Sequence, residues 1–256
     1  MSEALEIPTD IKSRVSEEEW KTREDLAAAY RLVAHYGWDD MVFTHLSARV
    51  PGPDEHFLLN PFGVLFEEVT ASSLVKIDLD GAVVLDNGYQ VNAAGFTIHS
   101  AIHGAREDAQ AVMHLHTDAG VAVSCMKEGF LPLNQHAMFV YHDVAYHDWE
   151  GVALNLDERE RLIADIEDKH LMMLRNHGTL AVGGSIASCF MRLYYLERAC
   201  SIQLKAMNGE LQMPNEEAIS MMKDTFNNPN AWEGISMTAW PAMLRLVDRL
   251  DSNYKI

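Results

Sequence analysis

Basic residues are scarce in this chain, with 20 Lys and Arg set against 38 Asp and Glu for a formal net charge of -18. A surface this acidic repels nucleic acid and anionic membranes over the Debye length, so neither is an expected partner. Cysteine is scarcer still. Cys125, Cys189 and Cys200 are odd in number and lie in apolar segments of helical pattern, which reads as reduced core thiols and excludes a disulfide framework. No uncharged apolar run is long enough to cross a bilayer, and Met1 to Glu6 lack a basic stretch followed by an apolar one, so a cytoplasmic protein is expected. Linkers rich in Pro, Gly or Ser are missing too, as are internal repeats. The 256 residues, 48% of them hydrophobic, are therefore expected to form one domain, with a core over about 18–207 and a helical tail over 208–256.

What is present in quantity is histidine in informative places. His114 and His116 close an apolar run, and residues i and i+2 of a strand project to one face, so both imidazoles can converge on one ion. His177 follows a second apolar run, Leu171 to Leu174, at the point where a buried strand gives way to a loop, and Gly178 beside it suits a tight turn. Three neutral imidazoles with an open fourth position form a catalytic metal shell; a structural site is closed by four protein ligands.

The pattern of helices and strands places these residues. Ser16 and Glu19 form a capping box that opens a helix running toward Gly37. Strands are expected at 41–50, at 57–60 and on either side of the Asp80-Gly81 turn. Helical spacing over 95–106 puts Phe96, His99 and His103 on one face. After the 111–116 strand, Thr117 and Asp118 cap a helix through Cys125, and a strand pair is expected around 138–146. A helix over 157–166, a strand over 171–175 and a long helix over 186–207 follow, the last with Arg192, Glu197, Arg198 and Lys205 as its charged face. Short hairpins mixed with long helices point to an α/β fold, a sheet covered by helices on both faces.

The stretches Gly95 to His103, Ala111 to His116 and Arg175 to Gly178 resemble the class II aldolase/adducin family over roughly 18–207. The resemblance implies a three-layer α/β/α fold with a mostly antiparallel central sheet. It also implies a homotetramer with active sites at subunit interfaces and a divalent metal held by His114, His116 and His177. Zinc is expected first, with manganese, iron or cobalt as alternatives. Departures from the family pattern are as informative as the matches. Where the sugar-phosphate aldolases carry two phosphate-binding serines and an acid/base glutamate, this chain has Ala93, Ala94 and Gly95. Their phosphate-binding Gly-Asn-Val-Ser segment is replaced by Thr44-His45-Leu46-Ser47. Arg49 and the turn from Asn60 to Gly63 survive. Substrate contacts are accordingly expected from Thr44, Asn60, Gly63 and Gly95.

These features predict a metal-dependent lyase for retro-aldol cleavage or decarboxylation of a non-phosphorylated hydroxy-carbonyl or carboxylate compound, including aromatic ones. With the glutamate missing, acid/base work falls to His45, His99, His136 or Tyr141, because imidazole titrates near neutrality. His45 is the first choice. His99 and His103 can equally be a helix face packed beneath the sheet, and Tyr141, His142, Tyr146, His147 and Trp149 a satisfied edge strand. Two other classes stay open: a metal-dependent oxygenase, since three imidazoles also hold Fe(II), and a non-catalytic adducin-like binding module.

Overall fold

A computed structural model describes residues 11–91, 93–151, 157–226 and 228–256, with backbone alone at 93–96, 229 and 230. Helix α1 (Glu17–His35) starts where the Ser16 hydroxyl accepts the Glu19 amide at 3.1 Å. It ends before Gly37, whose φ of +67° only a residue without Cβ adopts cheaply. The strands that follow are β1 (His45–Arg49), β2 (Phe57–Leu59), β3 (Val75–Ile77), β4 (Val83–Leu85), β5 (Ala111–Leu115), β6 (Val144–His147), β7 (Leu171–Leu174) and β8 (Gly178–Gly183). They form one sheet in the order β4-β3-β2-β1-β5-β8-β7-β6, antiparallel throughout except for the parallel β6–β7 pair. Strand β1 is shorter than the sequence suggests, because Met41 and Thr44 have positive φ (52° and 66°) and break the extended run ahead of His45.

Strands β5 and β7 are buried along their whole length, which is why both read as unbroken apolar runs in place of alternation. Their two faces feed different cores. On one face, Val112, Met172, Leu180 and Val182 pack against Ile98 and Ile102 of α2 (Ala93–Ala105) and against Leu162 and Ile166 of α5 (Glu158–Ile166). On the other, Leu46, Met113, Leu171 and Ala181 meet α1 and the long helix α6 (Ile186–Ala206) in the main core cluster. Helices α3 (Asp118–Ser124) and α4 (Gln135–Val140) also pack on α6, completing the α/β/α layering.

Several expectations are corrected. The strand pair around 138–146 is instead α4, a 3-10 turn over Tyr141–Asp143 and then β6; the Asn134 side chain accepts the Ala137 amide and so caps a helix there. Cys125 is exposed, while Cys189 and Cys200 are buried thiols as expected. Arg192 and Glu197, taken for the charged face of α6, are buried. Helices α7 (Glu216–Phe226) and α8 (Pro229–Leu250) form the tail, and Trp232 and Trp240 of α8 enter the main core cluster. No helix among the described residues is long and apolar enough to cross a membrane.

Candidate metal centre

Cross-strand register builds the site on the α2 side of the sheet. His45 of β1 lies directly opposite His114 of β5, which in turn pairs with Leu180 of β8. His116 follows β5 with the same facing as His114. The third imidazole comes from the turn between β7 and β8. There the left-handed position falls on Asn176 (φ 58°), a residue type that tolerates it, so Gly178 is not the turn former that the sequence suggested. Its role is close approach: a Cβ on Gly178 would stand 2.3 Å from the Leu115 carbonyl oxygen of β5. Gly178→Ala is therefore expected to push β8 off β5 and destabilise the protein by about 3 kcal/mol, read as a lower denaturant midpoint. An unchanged midpoint would show that the strands have slack there.

The ligand nitrogens of His114, His116 and His177 lie within 4.8 Å of one another. Backbone and carboxylate partners fix the tautomers of His114 and His116. His114 Nδ1 donates to the Thr179 carbonyl at 2.9 Å, and His116 Nδ1 faces Asp40 Oδ2 at 3.1 Å. With both Nδ1 atoms committed as donors, the two Nε2 atoms present lone pairs to each other at 2.9 Å. That contact is repulsive unless a cation shares the two lone pairs, so the donor set fits a divalent metal. Burial, then the neighbouring imidazoles, holds the His114 pKa well below the usual histidine value; burial, then His116, lowers that of His177 to about 4. Both rings are therefore neutral at physiological pH, the form that binding of a cation requires. The exposed indole of Trp149 meets His177 edge-on, with centroids 5.3 Å apart.

A second group of polar side chains surrounds His45. Its Nδ1 faces Asn60 Oδ1 at 3.1 Å, leaving the Nε2 lone pair free, and burial lowers its pKa to about 4. Behind it, a chain of bonds has a direction set by a backbone carbonyl. His103 Nδ1 must donate to Ala109 O (2.8 Å), so the Ser47 hydroxyl donates to His103 Nε2 (2.7 Å) and His99 Nδ1 donates to Ser47 Oγ (2.6 Å). His99 Nε2 is then a bare acceptor, buried without a partner, as are Thr44 Oγ1 and Asn60 Nδ2. Unsatisfied buried polar atoms are costly, and two of these belong to side chains set against the His45 ring, where a polar ligand would satisfy them. The positive φ of Thr44, a β-branched residue, is backbone strain at the same spot.

The remaining candidates lie apart from the triad. His136 lies beside Tyr195 of α6, with centroids 5.8 Å apart, and Tyr141 beside Phe130, in the layer on the opposite side of the sheet. Gly63 takes a turn conformation (φ 84°) beyond β2 with open space around it. The backbone of Gly95 lies in the first turn of α2, and its surroundings, with those of Ala93, Ala94 and Phe96, fall outside the described residues. Sequence reasoning missed Asp40 and Thr179, whose separation along the chain from their partners leaves no local signal.

Comparison with known proteins agrees with this architecture. The model of the class II aldolase and adducin N-terminal domain matches residues 24–204. A crystal structure of an aldolase II superfamily protein from Pseudomonas syringae superposes with a TM-score of 0.93 at 48% identity, covering 96% of this chain and all of that one. L-fuculose 1-phosphate aldolase from Glaciozyma antarctica gives 0.81 at 30% identity, over 93% of this chain and 92% of its own. Mouse alpha-adducin is 38% identical over 88% of this chain but only 32% of its own length. The chain belongs to the class II aldolase and adducin family.

Proposed function

We propose that this family member is a metal-dependent carbon–carbon lyase acting on a non-phosphorylated hydroxy-carbonyl or hydroxy-carboxylate compound, by retro-aldol cleavage or decarboxylation. The observation that carries the reading is the pair of opposed Nε2 lone pairs on His114 and His116, closed into a triad by His177. Those three residues would hold the ion, with zinc the first choice and manganese, iron or cobalt behind it. The ion, when bound, supplies Lewis-acid polarisation of a carbonyl and stabilises the negative charge left by bond cleavage.

The chain's own residues supply the rest. His45 Nε2 carries an unshared pair beside the triad and is the group we assign to proton transfer. Its depressed pKa keeps it in the accepting form at neutral pH. Asn60 fixes the tautomer by accepting a hydrogen bond from the Nδ1–H, and the Tyr30 hydroxyl holds Asn60 and β1 together by accepting the amides of Leu46 (2.8 Å) and Asn60 (3.2 Å). Thr44 Oγ1, Asn60 Nδ2 and His99 Nε2 offer two donors and an acceptor to substrate hydroxyl and carboxylate oxygens. Such hydrogen bonds to substrate are favourable because they satisfy groups that otherwise lie buried and unpaired. With Ala93 and Ala94 where phosphate-gripping serines would stand, a phosphate dianion has lost two donors. We assign a homotetramer, with active sites at subunit interfaces, to the same reading.

The test is turnover by the metal-loaded protein of hydroxy acids and hydroxy-ketones, compared with L-fuculose 1-phosphate. Release of an aldehyde or carbon dioxide from the unphosphorylated compounds is expected, abolished in His45→Ala with its metal retained. Turnover of L-fuculose 1-phosphate at about 1 per second or more would overturn the substrate assignment. The likeness to alpha-adducin favours a second reading, a non-catalytic assembly module, and a wild-type chain that takes up no metal would select it.

A further inference from the structure

Glu197 sits in the middle of α6 with 2% of its surface exposed, and neither the proton transfer nor the substrate contacts use it. Both of its carboxylate oxygens are bound. The Thr179 hydroxyl donates to Oε1 and the Thr117 hydroxyl to Oε2, both through short contacts. Each threonine is also tied to a histidine of the triad. The Thr179 carbonyl accepts the His114 Nδ1 proton at 2.9 Å, and Thr117 is the residue directly after His116, where it also caps α3 by accepting the Gly120 amide at 2.9 Å. Gly120 completes the cradle, since a Cβ there would meet Thr179 Cγ2 at 2.7 Å, Thr117 Oγ1 at 2.9 Å and Glu197 Oε1 at 3.1 Å.

A buried carboxylate needs a reason to be where a neutral residue would cost less. Three neutral imidazoles add no charge to balance a dication, and Asp40, the carboxylate on His116, is 41% exposed and screened by water. Glu197 is buried, so its charge is little screened by water. Burial alone pushes its pKa up to about 7, against the pull of the two threonine hydroxyls, which means that the charged form lacks a cation among its protein neighbours.

Resting on the reading of the triad as a metal site, we propose that Glu197 is a positioning residue and the buried counter-charge of that site. It acts on the ion from behind the sheet, through Thr179 to His114 and through Thr117 to the chain at His116. Its hydrogen bonds hold both threonines, and through the Thr179 carbonyl they keep His114 in the tautomer that leaves Nε2 free.

The test is zinc affinity, measured by competition with a chromophoric chelator on metal-stripped, folded protein, together with the melting temperature of the same metal-free samples. Glu197→Gln keeps the shape and can still bond to both hydroxyls, so the metal-free melting temperature is expected to hold or rise, while zinc binding weakens roughly 10- to 100-fold. Thr179→Val is expected to weaken binding in the same range and Thr179→Ser to restore it. Equal zinc affinity in wild type and Glu197→Gln overturns the proposal and leaves the metal site standing. Lower affinity accompanied by a matching fall in metal-free melting temperature also overturns it, since a structural role would suffice. Should Glu197→Gln not fold, the Thr179→Val and Thr179→Ser pair decides by the same criteria. A wild-type protein that binds no zinc, manganese, iron or cobalt overturns both the proposal and the triad reading.

Discussion

His114→Ala and His177→Ala are each expected to abolish metal binding and activity together, starting from a wild type that carries about one divalent ion per chain. The three nitrogens lie within 4.8 Å of one another, and two of them already face each other at 2.9 Å, so removing one imidazole leaves a two-ligand site. Losing a direct ligand should exceed the roughly 10- to 100-fold cost of losing an outer-shell partner, so the Asp40→Ala variant sets the scale for comparison. Elemental analysis after gel filtration, with chelator competition for affinity, reads the outcome. Full occupancy in both histidine variants would move the site elsewhere. Fold should survive these changes, because the β5–β8 pairing is made by backbone.

Acidification is expected to unfold the metal-free protein well before ordinary carboxylates titrate. His45 and His103 have pKa values lowered to about 4 and about 3, chiefly by burial, and His99 and His114 lie well below the usual value for the same reason. An unfolded chain titrates histidine near 6.5. A group with a depressed folded pKa contributes stability that is present above the unfolded value and is lost as pH falls toward the folded one. Between about pH 6.5 and pH 4 the loss should therefore reach several kcal/mol, because each tenfold drop in proton affinity on folding is worth about 1.4 kcal/mol. Glu197 opposes this, since its raised pKa favours the folded state on protonation, but it is one group against five once His177 is included. Urea midpoints at pH 7, 5.5 and 4 check the sign, and a flat profile over that range would contradict the burial of these imidazoles in solution.

Periodicity and caps made the helices legible in sequence, and the unbroken apolar runs did the same for β5 and β7. The convergence of His114 and His116 was legible because a strand fixes their facing regardless of what surrounds it. The segment 138–146 misled because a mixture of aromatic and apolar residues suits a strand and a half-buried helix equally, and the Asn134 cap decided for the helix. Gly178 was noticed for its flexibility, whereas its importance lies in a carbonyl on another strand that no local pattern reveals. His136 and Tyr141 drew attention through residue type alone, and the layer order puts them across the sheet from the triad. Glu197 and Arg192 looked like a solvated face because helical spacing records which residues share a side, not which side is covered.

The strand order carries a kinetic meaning. Strands β1, β5 and β8 are neighbours in the sheet but remote along the chain, so their pairing closes long loops and belongs to the slow class of folding events. His114 and His116 are local, but His177 joins them only after β8 has docked on β5. An ion that needs all three therefore engages a chain whose central sheet is already assembled. Its binding energy then falls mainly on the barrier to escape from the native state, so the metal should lengthen the lifetime of the folded protein far more than it hastens folding.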